Sequence, residues 1–298
     1  MKVKFILRPI YQLFVLIAFC LAASASADGP LVQQSGSGCI DWSAGTVRAK
    51  GVGTPAQTGD NDTPAEASAI LENARQTARK KLLETVMTIR IDAGSRIADR
   101  VQGSPDFLEG LHTLAGNAAV TRQEYLSDGT LEIELTMNLT GGFGQFVLPE
   151  EIRQVEPVTT MNTAQKETQS TSKEKVGVGS APYTGLIVDA VGIGAKPALV
   201  PVIADESGEV VYGPAFASRE FAVSRGMSGY AASLDAARKD PRVGDRPLIV
   251  KAIRTRFTGN TDLVIPTTEA ARLRSSAIHL NFLKACRVCI VLDGMVKQ

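Results

Sequence analysis

Thr63-Pro64-Ala65-Glu66 opens the stretch that decides the fold, and Ala67, Ile70, Leu71, Ala74, Ala78, Leu82, Val86, Ile89, Ala93, Ile97 and Val101 carry it onward. The first four residues form a capping box. The Thr63 hydroxyl accepts from the backbone N–H three residues on, and Glu66 reaches back to the Thr63 N–H. Pro64 takes the first helical position, where its missing N–H costs nothing. The apolar residues then recur at intervals of three and four, which places them on one helix face. A periodic run this long is expected to bend near Gly94 or to pack in an oligomer. Arg75, Arg79, Lys80 and Arg90, with Arg96 and Arg100 beyond them, occupy much of the remaining surface. The first four are a candidate docking face for an acidic partner or anionic lipid. The competing reading is a solvated helix face that Glu72 and Glu84 partly offset.

The flanks of this helix read as strands. Gly45 to Gly53 alternates small or apolar residues with polar ones. Leu131, Ile133, Leu135, Met137 and Leu139 alternate with Glu132, Glu134, Thr136 and Asn138, a period of two with one buried face. Ala118 to Leu126 supplies the strand before it, joined through Asp128-Gly129 as a two-residue turn. Pro105 to Leu114 reads as a shorter helix, and the Gly/Ser-rich residues from Asp28 to Gly38 as disordered. Laying the helix face on an antiparallel sheet buries both. The expectation is an α+β domain over residues 40–150.

From Glu151 to Pro182 the chain is rich in Thr, Ser, Gln, Lys and Glu and holds no aromatic residue, so it reads as a disordered linker over 151–182. A second, mixed α/β domain is expected over 183–298. Its strands are read at Leu186–Ala190, Ala198–Ala204, Glu209–Tyr212, Leu248–Thr255, Asp262–Ile265 and Arg287–Asp293, the last suited to the middle of a sheet. Asp205 to Gly208 turns the chain between two of them. Ser218–Arg225, Tyr230–Lys239 and Thr267–Lys284 read as helices, the last capped by Thr267 or Thr268.

The N-terminus has the layout of a secretory signal over residues 1–27. Lys2, Lys4 and Arg8 precede an apolar run from Leu13 to Ala23, and Ala25-Ser26-Ala27 offers small residues for cleavage after Ala27. The run is short of the roughly 20 residues that cross a hydrocarbon core. Phe19 before Cys20 stands where a lipoprotein signal needs a small residue, so lipidation is not expected. The destination is the periplasm, with no membrane-spanning segment in the mature chain. A formal charge of +1 gives no reason to invoke nucleic acid, which asks for a clustered basic surface.

No arrangement of residues announces a reaction. The two histidines, His112 and His279, and the lack of a Gly-x-Ser-x-Gly elbow leave no nucleophile–base set to argue. Gly141-Gly142-Phe143-Gly144 leads to Pro149 rather than into a phosphate-binding helix, and Gly192-Ile193-Gly194 is followed by Lys196-Pro197. Cys286 and Cys289 have redox or zinc spacing, but they fall where a helix gives way to a strand; the competing reading is two buried thiols. Asp189 and Asp293 end apolar strands, where carboxylates can hold a ligand or cation, or simply close a turn. No catalytic residue, metal site or cofactor is expected.

Val47-Arg48-Ala49-Lys50-Gly51-Val52-Gly53, the helix segment Ala74-Arg75-Gln76-Thr77-Ala78-Arg79-Lys80-Lys81-Leu82 and the Asp-Gly hairpin resemble the LPP-twenty-like family of bacterial envelope proteins. That family includes FlgP-type outer-membrane lipoproteins and the amino-terminal domain of the flagellar assembly protein T. Tyr183 to Ala190 and Phe282 to Val288 look like the C-terminal region of exported proteins of the same family. The resemblance implies a non-enzymatic assembly or scaffold protein of the envelope, associated with itself or with envelope proteins, in a flagellar or outer-membrane setting. The alternatives are a periplasmic ligand- or cation-binding module centred on Asp189 and Asp293, and a thiol or metal enzyme using Cys286 and Cys289.

Overall fold

The computed structural model describes residues 29–55, 64–152 and 182–294. The leader, the Thr63 cap and nearly all of the linker expected over 151–182 lie outside the described residues.

The first domain is built on a five-stranded antiparallel sheet of order β1-β2-β3-β5-β4. Its strands are β1 (Val32–Ser35), β2 (Gly38–Asp41), β3 (Thr46–Gly53), β4 (Ala119–Tyr125) and β5 (Leu131–Asn138). Helix α1 (Pro64–Met87) packs on β3 and β5 through Ala74, Ala78, Leu82 and Val86, all fully buried. Each Leu or Val so buried contributes roughly 1.5–3 kcal/mol. The approach of helix to strand is set by Gly51. A Cβ there would lie 2.0 Å from the Ala74 carbonyl oxygen, so the two backbones touch.

The expected continuous helix stops at Met87. Thr85 and Thr88 turn their hydroxyls back onto the carbonyls of Lys81 and Thr85, and Asp92 Oδ1 accepts from the amides of Gly94 and Ser95. These local bonds compete with helix propagation. Arg90 and Arg96 then face each other in an antiparallel bridge, and α2 (Ile97–Gly103) and α3 (Pro105–Gly116) follow, the latter capped by Ser104. Two other expectations are corrected here. Residues 32–41, part of which read as disordered, form the β1–β2 hairpin, held by buried Leu31, Ile40 and Trp42 and by the Trp42 indole donating to Gln33. The β4–β5 connection is a three-residue loop: Gly129 N–H bonds the Leu126 carbonyl, Leu126 N–H bonds Thr130, and Gly129 takes φ +80. Helix α4 (Gly142–Val147) closes the domain, its own Phe146 stacked on Phe107 at 4.8 Å between centroids.

The second domain is mixed α/β, as expected in class. A parallel sheet runs β10-β6-β13-β9, with β6 (Gly185–Asp189), β9 (Gly229–Ala231), β10 (Pro247–Lys251) and β13 (Val288–Val291). A second sheet runs β11-β12-β7-β8, with β7 (Ile203–Asp205), β8 (Val210–Tyr212), β11 (Arg254–Thr255) and β12 (Leu263–Ile265). Helices α5 (Arg219–Arg225), α6 (Leu234–Lys239), α7 (Thr267–Arg274) and α8 (Ala277–Lys284) complete it. Strand β13 lies in the middle and is buried on both faces.

Three readings change in detail. Pro197 and Pro201 lack ladder donors, so the strand expected from Ala198 begins only at Ile203. Tyr230 belongs to β9, and the helix after it starts at Leu234 under the Ser233 cap. The helix read over Thr267–Lys284 is two, because Ser275 bonds back to Arg272 and Ser276 caps α8. Neither Thr267 nor Thr268 caps α7; Glu206 accepts from the Thr267 amide instead.

The two domains share one continuous apolar cluster. Leu199 and Val200 amides donate to Arg90 and Ile91 carbonyls, Gly141 N–H donates to Val223, and the Trp42 ring meets Tyr230 edge-on at 5.5 Å. Arg219 donates to the carbonyls of Gln145 and Pro149.

Candidate functional site

The side of α1 turned away from the sheet meets α3. Phe107, Leu111 and Ala115 face inward on α3, which leaves His112 on the outer side. Between the helices lies a shallow hollow of about 340 Å³ lined by Gln76, Arg79, Lys80, Leu83, Glu84, Met87 and His112. Its surface is mainly apolar; of its lining residues Leu83 is buried and Met87 half-buried, whereas Lys80, Glu84 and His112 are exposed. Arg79 stands 3.7 Å from Glu72, and Glu84 accepts from the Ser37 hydroxyl on the β1–β2 turn. Exposed pairs of this kind contribute about 0–1 kcal/mol, so these charges remain available to a partner.

Three of the four cations expected on one docking face are on this helix. Arg75 and Arg79 lie one turn apart and are half-buried, and Lys80 is exposed. Arg90 is not with them, because α1 ends before it. Its carbonyl holds Leu199 of the second domain, and burial, then the neighbouring Arg96, lowers its pKa.

Asp189 and Asp293 do come together, at the carboxyl ends of adjacent strands β6 and β13. Both grip the loop between β6 and β7. Asp189 Oδ1 accepts from Val191 N–H at 3.1 Å, and both Asp293 oxygens accept from Gly192 N–H at 3.1 Å. Gly192 and Gly194 take φ +84 and +67, a loop conformation that other residues rarely adopt. Lys251 Nζ sits 3.1 Å from Asp189 Oδ1 and donates to the Val191 carbonyl, which already supplies Asp189 with a counter-ion. The arrangement holds a turn.

Cys286 and Cys289 are kept apart. Cys286 packs in the large core that contains Val288 and Ile290, whereas Cys289 packs with Ile187, Ala237 and Val291 on the other face of the sheet. Burial raises both thiols, Cys289 to about 12. Neither is a thiolate at neutral pH. Cys39 is half-buried on β2, and the three cysteines among the described residues are free thiols. Among the described residues no group of three or more His, Cys, Asp or Glu side chains is placed to hold a metal ion.

Sequence reasoning missed a cleft of about 170 Å³ where the domains meet, lined in part by Trp42, Leu139, Arg225, Tyr230 and Arg242. Its walls are fixed. Arg242 donates to the carbonyls of Arg225, Gly226 and Cys286, and the Tyr230 hydroxyl accepts from Ala198 N–H and donates to Ala198 O. Burial pushes the Tyr230 hydroxyl up to about 12. The lining comes from segments far apart in the chain, and its only advance signal was the single Trp, Trp42.

No helix among the described residues is long and apolar enough to cross a membrane. No curated protein gives a significant match to the chain. Residues 185–294 match the family described as the second domain of Treponema pallidum Tp0624, a span that opens on the first residue of β6 and closes just after β13.

Proposed function

We propose that this chain is a non-enzymatic assembly or scaffold protein of the bacterial envelope, exported to the periplasm and working through protein–protein contacts. The observation that carries the reading is the α1–α3 hollow: a mainly apolar surface that includes Leu83 and Met87, with Arg79 and Lys80 beside it. It suits a partner that offers an apolar side chain beside acidic ones, the arrangement by which a central anchor supplies affinity and a charged rim supplies steering. The resemblance of residues 40–150 to LPP-twenty-like proteins supports the envelope setting and a flagellar neighbourhood. Replacing Arg79 and Lys80 together with Glu changes exposed and half-buried positions and leaves the core intact. The double variant is expected to be exported normally yet co-sediment with the envelope at least tenfold less than the parent. Equal co-sedimentation would refute docking through this face.

A second reading, a ligand-binding module, draws its support from the interdomain cleft, since small-molecule sites favour domain boundaries. Asp189 and Asp293 support it less, being committed to the Gly192 loop and Lys251. A thermal-shift screen with small anions and divalent metals tests it. A shift that Arg225→Ala abolishes supports the cleft, and no shift with any of them removes it.

A further inference from the structure

Strand β4 stands outside the layer that the rest of its sheet shares with α1. Among the described residues it pairs with β5 alone, and all seven of its residues, Ala119 to Tyr125, are exposed. Among the described residues nothing pairs with its outer edge, whose backbone donors and acceptors form a template that proteins ordinarily cover or blunt. Val120 is 42% exposed, Tyr125 65% and Leu126, in the following turn, 46%, so the strand also presents uncovered apolar surface.

The register against β5 fixes which way each side chain faces. Tyr125, Gln123 and Val120 lie opposite Leu131, Ile133 and Leu135, the buried residues of β5, and so are on the helix side. Arg122 and Glu124 lie opposite Glu134 and Glu132 on the outer side. The register shifts between Val120 and Arg122, which leaves Thr121 as the extra residue of a bulge. Within one chain Arg122 pairs with Glu124 along the strand at 2.7 Å.

We propose that β4 is the interface by which two copies of this chain associate, their β4 strands antiparallel about a two-fold axis at Gln123. In that register Arg122 of each copy lies opposite Glu124 of the other. The two pairs within the strands and the two between them make a square of alternating charges on the outer side. On the helix side, the bulge residue Thr121 brings Val120 opposite Tyr125 of the second copy, an aromatic on a β-branched side chain, which is a favourable cross-strand pair. The neighbouring registers are excluded by charge. An axis at Arg122 sets Arg122 against itself, and one at Glu124 sets Glu124 against itself, and like charges directly opposite are destabilising. Of these three registers only the one centred on Gln123 is complementary in charge, and it joins two five-stranded sheets into one.

The proposal deepens the reading of the chain as an assembly protein, and it is read on purified chain without any partner. Sedimentation velocity over a concentration series is expected to show a reversible dimer. Arg122→Glu alone and Glu124→Arg alone should each weaken it at least tenfold, and the charge-swapped double variant should restore it. The substituted side chains are exposed, so circular dichroism should be unchanged throughout. A parent that stays monomeric at millimolar concentration overturns the proposal while leaving docking at α1–α3, tested in cells, untouched. A dimer indifferent to the single variants, or not rescued by the swap, overturns it equally.

Discussion

At the scale of single residues, the side chains with the most perturbed chemistry hold structure. Asp205 illustrates this. Its side chain is 2% exposed, accepts from the Ser207 hydroxyl and lies 3.1 Å from the Arg274 guanidinium. Those contacts, Ser207 first, hold its pKa at about 2 against an ordinary 3.8. A folded-state value below the unfolded one adds stability above the unfolded value and loses it as pH falls toward the folded value. The stability gap between the parent and Asp205→Asn should therefore be full at neutral pH and shrink as the solution is acidified from about 4 to about 2. Thermal unfolding at stepped pH measures it; a gap that stays constant through that window would show that the contacts do not act through the charge. The sequence placed Asp205 in a turn but offered no sign of Arg274, which α7 delivers from another element. The same limit applied to Cys286 and Cys289. Their spacing was legible, whereas their separation onto two faces of one sheet depends on β13 being central.

Among elements, those with a strong period were legible and those defined by local hydrogen bonds were not. The alternation in Leu131–Leu139 gave β5, with Leu131, Ile133 and Leu135 inside, and the three–four spacing gave the buried stripe of α1. The end of α1 was hidden because Ile89 and Ile97 stay buried in phase although the chain between them is a turn. The β1–β2 hairpin was hidden by its polar composition; its apolar anchors are the few residues Leu31, Ile40 and Trp42. The closeness of α1 to β3 yields a direct test. Gly51→Ala pushes a methyl against the Ala74 carbonyl and the Ala78 amide, with nothing flexible to yield, and should cost about 3 kcal/mol or more in urea unfolding. Gly36→Ala meets nothing within 4 Å and should fall within about 0.5 kcal/mol of the parent. Equal stabilities for the two variants would mean that helix and strand are not in backbone contact.

For the whole molecule, two domains read as separate along the chain prove to be packed together, with Trp42 against Tyr230 and the β6–β7 loop bonded to the turn after α1. That docking was illegible because no local pattern encodes it. Of the candidate sites, the placement of Arg79 and Lys80 on the surface of α1 was legible from charge and helical phase, while the hollow beside them needed α3 in place. The central claim is that this surface engages an envelope partner. Site-specific photo-crosslinking in living cells tests it most directly, with the reactive side chain at Lys80 and, as control, at exposed Lys239 on α6. The account predicts a discrete crosslinked product in the envelope fraction from Lys80 and none from Lys239; no product from Lys80, or the same product from both positions, would contradict it.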